Sequence, residues 1–198
     1  MEIRTAKKED CEQIAIIHKK GLADHFIGML SIELIKRFYE SFISEQTLFL
    51  VSVDENRVFG FLLGGDGYQM QKIKQKFVRQ NLLNLFVYIL FSPKLYPLVL
   101  RRLKIKKKNK AAVIEPSSCS FRSLSLGVDP NKSGVAFALF KAFDKMAKQA
   151  GIERYGCSVL KTNNASILFH EKIGFKREKE TTGSVYFYKI LKQPISKT

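Results

Sequence analysis

A short loop between a predicted strand and a predicted helix carries the residues best suited to hold a charged ligand. Residues 131–136 follow a strand that ends at Asp129 and Pro130, and they precede a long amphipathic helix. The first N–H groups of a helix have no intrahelical acceptor and its dipole favours negative charge, so this loop predicts an anion site. Gly134 lets a phosphate approach the backbone, and Lys132 adds a positive charge. Many loops of α/β proteins with a single glycine bind no ligand, so a purely structural role stays open. The loop residues are Asn131, Lys132, Ser133, Gly134, Val135 and Ala136.

The cysteines and histidines are the other side chains whose types could do chemistry. Cys11, Cys119 and Cys157 are widely spaced, without a Cys-x-x-Cys pair, so neither a disulfide framework nor a structural zinc site is expected. This pattern fits a reducing, cytoplasmic compartment. No histidine stands near Cys119 or Cys157 in sequence, which favours buried apolar cysteines over nucleophiles. His18 and His25 lack metal-ligand spacing, and no metal is predicted.

The positive charge of the chain is concentrated in one segment. The 198 residues include 34 basic and 18 acidic ones, for a formal net charge of +16, which predicts an anionic partner. The 45% hydrophobic content excludes a wholly disordered, collagen-like or coiled-coil chain. The N-terminus lacks the apolar stretch of a signal peptide. The window 71–110 contains no Asp or Glu and holds twelve basic residues: Lys72, Lys74, Lys76, Arg79, Lys94, Arg101, Arg102, Lys104, Lys106, Lys107, Lys108 and Lys110.

The centre of this window is apolar, with leucines and aromatic residues between 82 and 100. A membrane-spanning helix needs about 20 apolar residues, and the polar residues and prolines here favour two short helices broken at Pro93 and Pro97. Such a basic, aromatic segment either packs on its own domain with solvated lysines or contacts an anionic membrane surface through residues 71–110. Nucleic-acid binding is less favoured, because the basic residues flank an apolar block.

The periodicity of the remaining chain predicts alternating strands and helices. We expect helices over 8–20 and 31–43, and a hairpin of strands over 47–53 and 58–63 that ends at Gly64, Gly65 and Gly67. After the basic segment, the pattern predicts a strand over 120–128, a helix from 133 to Gly151, and a strand over 154–160. A helix from Asn163 to Gly174 and a strand over 184–191 complete the chain. This order is typical of a mixed α/β sheet.

The second half of the chain resembles the GNAT N-acetyltransferase superfamily. The family pattern Gln/Arg-x-x-Gly-x-Gly/Ala corresponds to residues 131–136, and a second motif corresponds to Asn163, Ser166, Phe169, His170 and Gly174-Phe175. The N-terminal stretch from Ile3-Arg4 through Asp10 and Ile14 also looks like the family's opening, and the resemblance as a whole covers Met1 to about Gly65 and Ser120 to Leu191. It implies an α+β fold with a mostly antiparallel central sheet and flanking helices. The resemblance also implies that residues 1–198 form one domain, with a basic helical insertion over about 68–115 between the third and fourth strands.

The resemblance implies an acetyl-CoA-dependent acetyl transfer to a primary amine by direct attack in a ternary complex. The pantetheine arm would lie in a gap between two strands, against Leu126, Gly127 and Val128, with one backbone N–H polarising the thioester carbonyl. The pyrophosphate would sit on the N–H groups of residues 132–136. Asn163 would bond the pantetheine arm, with Ser166 and Phe169 beside it.

The chain departs from the family at three points. The phosphate loop lacks the usual Gln or Arg and is shorter after the proline. His170 stands where the family often has a tyrosine that protonates the departing thiolate; an imidazole can take that role, and the alternative is a helix residue at the edge of the core. The strand over 121–128 holds no carboxylate to act as base. Asp24, His25 and Asp66 are weak candidates, more typical of loop or cap residues.

The acceptor is predicted only by chemical class. The basic insertion suits an anionic acceptor, such as a nucleotide- or lipid-linked amino sugar, or recruitment to the cytoplasmic face of a membrane. One alternative is a protein N-acetyltransferase that docks on an acidic protein or on RNA. Another is a non-catalytic form of the fold that binds anionic surfaces.

Overall fold

The computed structural model describes residues 1–23, 26–43, 47–96 and 118–191. Seven strands of this part form one sheet in the order β1-β2-β3-β4-β5-β7-β6. Every neighbouring pair is antiparallel except β4 and β5, which are parallel. The strands are β1 Glu2–Thr5, β2 Thr47–Asp54, β3 Arg57–Asp66, β4 Phe121–Val128, β5 Arg154–Leu160, β6 Lys176–Glu180 and β7 Ser184–Ile190.

The helices cover both faces of this sheet. They are α1 Cys11–Gly21, α2 Ile32–Glu40, α3 Gly67–Gln80, α4 Leu82–Leu90, α5 Val135–Gln149 and α6 Asn164–Lys172. Helices α1 and α2 bury residues such as Ile14, Ile35 and Tyr39 in one apolar cluster with β2 and β3. Helix α5 buries Leu139 and Phe143 in a second cluster with β5 and β7. The predicted mixed, mostly antiparallel fold with flanking helices is confirmed.

The predicted end of β3 is wrong. The strand continues through Gly64 and Gly65 to Asp66, and both glycines pair with β4. A Cβ on Gly64 would lie 2.4 Å from Cζ of Phe143, so the missing side chain is what lets α5 pack on the sheet at this point. Both glycines are therefore residues of the strand, and Gly64 is also a packing residue.

Strand β6 was not predicted, because its sequence KREKE has no apolar alternation. It lies at the edge of the sheet, where exposed charged residues are common and discourage pairing with other chains. Its pairing partner is β7, whose Val185 and Phe187 are buried in the core.

Between β3 and β4 the chain forms α3 and α4, which meet at Asn81, a break that the sequence did not predict. The second helix ends before Pro93, as predicted, and Pro93 begins a short 3-10 turn. Pro97 and the basic residues after it lie outside the described residues. The single domain with an insertion over about 68–115 remains a prediction. No helix in the described part of the chain is both long and apolar enough to cross a bilayer.

Candidate active site

The centre of the sheet contains a gap between two parallel strands. Strands β4 and β5 run side by side, yet among their residues only Arg122 and Gly156 pair in register. Beyond that point β4 and β5 form no further ladder pair, so the edge of β4 from Ser123 to Val128 is left without a strand partner on that side, and we refer to this gap as the cleft. Backbone N–H and C=O groups on such an edge can pair with an extended ligand, which is what the resemblance implied for 126–128.

A bulge lies in β4 beside this cleft. Along β3, Leu63 pairs with Ser125 whereas Gly64 pairs with Ser123, so Leu124 is an extra residue without a partner in the ladder. A bulge bends the strand and redirects the local backbone groups, and bulges are common next to active sites. The bulge therefore lies where an N–H could be directed at a ligand in the cleft.

The loop that follows β4 enters α5 through a left-handed glycine. Gly134 is the N-cap of α5 with φ of +77°, and a Cβ at this position would meet no atom within 4 Å. The preceding turn is held by Asp129, whose Oδ1 accepts hydrogen bonds from the N–H of Asn131 at 3.0 Å and from its Nδ2 at 3.1 Å. The open space at Gly134 and the first N–H groups of α5 form a surface that an anion can approach closely.

Two cations lie at this loop: Arg57 of β3 and Lys132 of the loop itself. Arg57 Nη2 lies 3.1 Å from Asp129 Oδ2, and Lys132 Nζ lies 3.7 Å from an oxygen of Asp54. Both cations stack on the ring of Phe59, at 4.9 Å and 4.7 Å from its centroid. The bond from Asn131 N–H, and then Arg57, lower the pKa of Asp129. The carboxylate is thus ionised, and the neighbouring cations offset its repulsion of an anionic ligand.

Helix α6 brings the second predicted motif to the same side of the sheet. Asn163 is the N-cap of α6, and its Oδ1 accepts a hydrogen bond from Ser166 N–H at 3.0 Å. This leaves the Asn163 amide nitrogen as the atom that would serve a ligand. Phe169 packs on Phe140 of α5 with ring centroids 5.9 Å apart. Leu126 and Val128 pack against the same apolar cluster, so residues predicted from three elements share one region.

His170 lies deeper than an open catalytic group. It is 5% exposed and packs among the rings of Phe140, Phe169, Phe175 and Phe187. Its Nδ1 lies 2.7 Å from the carbonyl oxygen of Ser166, which fixes Nδ1 as the protonated nitrogen of the neutral ring. Burial lowers the pKa of His170, partly offset by this bond. The neutral ring can accept a proton at Nε2, and only the charged ring can donate one there.

A pocket of about 210 Å³ lies where β4 and β5 begin to diverge, and sequence reasoning missed it. Four elements contribute its walls, and two of its side chains, Lys74 of α3 and Arg122 of β4, are cationic. No Asp or Glu is among the lining residues. The lining is Gly67, Met70, Gln71, Lys74, Arg122, Ser123, Leu124, Cys157, Ser158 and Tyr186. Arg122 is the one charged residue of β4, and a charge within an otherwise uncharged strand is a signal that could have indicated the pocket.

Of the three predicted base candidates, the structure describes Asp66, and it gives this residue a structural role. The Asp66 carboxylate caps α3 by accepting hydrogen bonds from the N–H groups of Tyr68 and Gln69, both at 3.0 Å. Asp66 thus has the helix-cap role that was the alternative to a catalytic base. Asp24 and His25 lie outside the described residues.

A buried polar chain reaches β4 next to the bulge. Ser125 Oγ lies 2.9 Å from the hydroxyl of Tyr39, which lies 2.5 Å from His18 Nδ1. Burial raises the pKa of Tyr39, so its hydroxyl stays neutral. The chain joins α1, α2 and β4 and fixes the strand beside the cleft.

The three cysteines are buried, free thiols. Burial raises the pKa of Cys157, which lines the pocket, and raises the pKa of Cys11 to about 12. A nucleophilic cysteine needs the opposite shift, so these values favour the apolar role.

Solved structures share this architecture. PaiA N-acetyltransferase from Thermoplasma acidophilum, in complex with coenzyme A, is 17% identical, with 96% of this chain and 98% of that chain covered and a TM-score of 0.57. Ribosomal-protein-alanine N-acetyltransferase from Brucella melitensis is 15% identical, with 96% and 100% covered and a TM-score of 0.61. The structure of yncA from Salmonella typhimurium, with its cofactor acetyl-CoA, is 15% identical, with 98% and 96% covered and a TM-score of 0.59.

These similarities show that the chain has the fold of the GNAT acetyltransferases. No protein-family model and no curated protein matches this sequence.

Proposed function

We propose that this protein is an N-acetyltransferase that uses acetyl-CoA. The observation that carries the proposal is the cleft between β4 and β5, which leads directly to the left-handed Gly134 at the start of α5. An exposed strand edge suits an amide-containing arm, and a helix N-terminus suits a pyrophosphate. Coenzyme A has both groups in that order. The coenzyme A and acetyl-CoA complexes among the similar structures support this assignment.

Each end of the cosubstrate has residues suited to it. The N–H of Lys132 already donates to the Asp129 carbonyl at 3.1 Å, so the N–H groups of residues 133–136 would hold the pyrophosphate, with the Lys132 and Arg57 side chains nearby. The backbone of Leu126 and Val128 and the Asn163 amide would hold the pantetheine arm. One N–H of β4 near the bulge would stabilise the negative charge that develops on the thioester oxygen. A primary amine would attack the thioester carbon directly, and the thiolate of coenzyme A would leave.

His170 is our candidate for the group that protonates the departing thiolate. Because Nδ1 donates to the Ser166 carbonyl, Nε2 would carry the transferred proton, and the ring must be charged before transfer. Burial lowers the pKa of His170, so the resting ring is mostly neutral near pH 7, and Nε2 would take up the proton that the attacking amine releases through water before passing it to the thiolate. No carboxylate lines the pocket, so we propose that water removes the proton of the attacking amine.

We propose that the acceptor is an amine that also carries negative charge. Lys74 and Arg122 place two cations at the point where the strands diverge, which is where the acetyl group and the amine must meet. A guanidinium and an ammonium bind phosphate or carboxylate by charge-assisted hydrogen bonds. A nucleotide- or lipid-linked amino sugar combines a phosphate with an amine, so both remain our first candidates.

The test is an acetylation assay in which the product and free coenzyme A are both measured. We expect amino sugars that carry a diphosphate to be acetylated, and the same sugars without phosphate to be poor substrates. Lys74→Gln and Arg122→Gln should each raise the acceptor KM by roughly tenfold or more, because each removes a charge-assisted contact. The KM for acetyl-CoA should stay unchanged. Lys148→Gln, which removes an exposed charge near the end of α5, is the matched control and should change neither constant.

Protein N-acetylation is the second candidate. The ribosomal-protein-alanine N-acetyltransferase among the similar structures favours it. Acetylation of a peptide N-terminus, with no acetylation of any amino sugar, would select this function. A non-catalytic role on anionic surfaces would be selected only if acetyl-CoA does not bind at all.

A further inference from the structure

Helix α4 turns an apolar face to solvent. Leu85 is its one buried residue, while Leu83 and the adjoining Phe91 are each 79% exposed. A continuous row of exposed apolar side chains along one helix is typical of an interaction site. The exposed apolar residues are Leu82, Leu83, Phe86, Val87, Leu90 and Phe91.

Contacts with the rest of the fold hold this helix in place. Leu85 and Leu95 are buried, at 7% and 1% exposure. The hydroxyl of Tyr88 donates a hydrogen bond to the carbonyl of Met29 at 2.9 Å. At the start of the helix, Asn81 Nδ2 donates to the Phe77 carbonyl at 3.0 Å. The exposed face thus belongs to an anchored helix.

The surface beside α4 is basic. On α3, Lys72, Lys76 and Arg79 are exposed, and Lys72 Nζ stacks on the ring of Tyr68 at 4.4 Å. The sequence has no Asp or Glu from residue 67 to residue 114. Seven more basic residues follow between 101 and 110, outside the described part of the chain: Arg101, Arg102, Lys104, Lys106, Lys107, Lys108 and Lys110.

We propose that α4 and α3 form a docking surface for an anionic lipid bilayer. At nine residues, α4 is about 14 Å long and cannot span a hydrocarbon core of about 30 Å. It can lie in the interface, with its leucines and phenylalanines below the headgroups and the cations of α3 at headgroup level.

The combination of charge and apolar area selects this partner. A second copy of the chain would bring two sets of like charges into one interface, which opposes dimerisation through this face. A nucleic acid would bind the cations but would leave the leucines and phenylalanines in water. An anionic bilayer accommodates both kinds of side chain.

The test is flotation of the full chain with vesicles, without acetyl-CoA, so that its outcome is independent of the proposed enzymatic activity. One set of vesicles is phosphatidylcholine, and the other has phosphatidylglycerol as roughly one lipid in three. We expect strong binding to the anionic vesicles only. The double variant Leu83→Ser/Phe86→Ser should weaken binding roughly tenfold for each residue, because both side chains are exposed in the protein and buried in the bilayer.

A charge variant and an apolar control complete the design. The triple variant Lys72→Gln/Lys76→Gln/Arg79→Gln should weaken binding to anionic vesicles roughly fivefold per charge. Ile190→Ser, at the 60% exposed end of β7, should bind like the wild type. Thermal melts show that each variant is folded.

Two results would overturn the proposal. One is a failure of either vesicle comparison: the wild type binds both vesicle types equally, or the Leu83→Ser/Phe86→Ser variant binds anionic vesicles as well as the wild type does. The other is a wild-type dimer by light scattering that becomes monomeric in this variant while vesicles bind neither form, which would assign the face to a second copy.

Discussion

The two glycines at the ends of α5 provide a matched test of the phosphate loop. Gly134 precedes the helix with φ of +77°, and Gly151 follows it with φ of +75°. A Cβ at either position would meet no protein atom within 4 Å. Alanine at each site therefore introduces the same backbone strain, without a steric clash inside the protein. Only Gly134 lies where we place the pyrophosphate of acetyl-CoA.

The expected stability losses are equal. A side chain in the left-handed region costs about 1 kcal/mol relative to glycine. In a chain of this size, that cost lowers Tm by about 2–4 °C. Gly134→Ala and Gly151→Ala should agree in this shift. Differential scanning calorimetry of both variants without ligand measures it directly.

The expected binding losses differ. A methyl group at Gly134 would separate the pyrophosphate from the N–H groups at the start of α5, and each charge-assisted hydrogen bond lost costs about 1.5–3 kcal/mol. We therefore expect Gly134→Ala to raise the Kd for acetyl-CoA roughly 10- to 100-fold. Gly151→Ala should leave this Kd unchanged. If the two variants melt alike and also bind acetyl-CoA alike, the loop does not hold the pyrophosphate.

Two further predictions concern buried titratable groups. Burial raises the pKa of Asp10, but bonds from Arg4 at 2.7 and 2.9 Å and from Lys7 N–H outweigh it, and the net pKa is lowered. Asp10→Asn should lower the free energy of unfolding by about 2 kcal/mol at pH 7. The wild type should lose this advantage over the variant as the pH falls below about 4, because Asp10 then becomes protonated. If the variant loses as much stability in acid as the wild type does, Asp10 is not the cause. Because burial lowers the pKa of His170, the unfolded chain binds a proton more readily, and the wild type should lose stability as the pH falls below 6.5. His170→Phe should lose less unfolding free energy over the same pH range, as measured by urea titration. If His170 is the proton donor, the same variant should also lower kcat by about 10²-fold with little change in either KM; an unchanged kcat would assign the histidine to packing alone.

Helix α3 connects the two proposals. Its Met70 and Lys74 line the pocket, while Lys72 and Lys76 are exposed and belong to the proposed docking surface. One helix thus contributes both to the acceptor site and to the docking surface. This arrangement favours the lipid-linked form of the amino sugar over the nucleotide-linked form.

Local features of the sequence predicted much of the fold. The apolar period of α5, the Asn163 cap of α6 and the turn at Glu55 and Asn56 are encoded by neighbouring residues, and their elements lie where the sequence placed them. The end of β3 was placed too early, at Gly64, because the role of this glycine depends on Phe143, which is distant in sequence.

The acceptor pocket could not be predicted in the same way. Its walls come from α3, β4, β5 and β7, and the divergence of β4 from β5 results from the packing of the whole sheet. The loop over 131–136 could be predicted because a strand, a glycine and a helix follow one another along the chain. Lys74 and Arg122 are 48 residues apart (122 − 74 = 48) and share the pocket only after folding.

The most direct test of the central claim is a calorimetric titration of the full chain with acetyl-CoA at moderate and at high salt. A chain with a net charge of +16 attracts coenzyme A nonspecifically, and salt screens that attraction. We expect one-to-one binding with a micromolar Kd that persists at high salt. Absence of binding, or binding that disappears with salt, would contradict the claim that the cleft and the loop at Gly134 form an acetyl-CoA site.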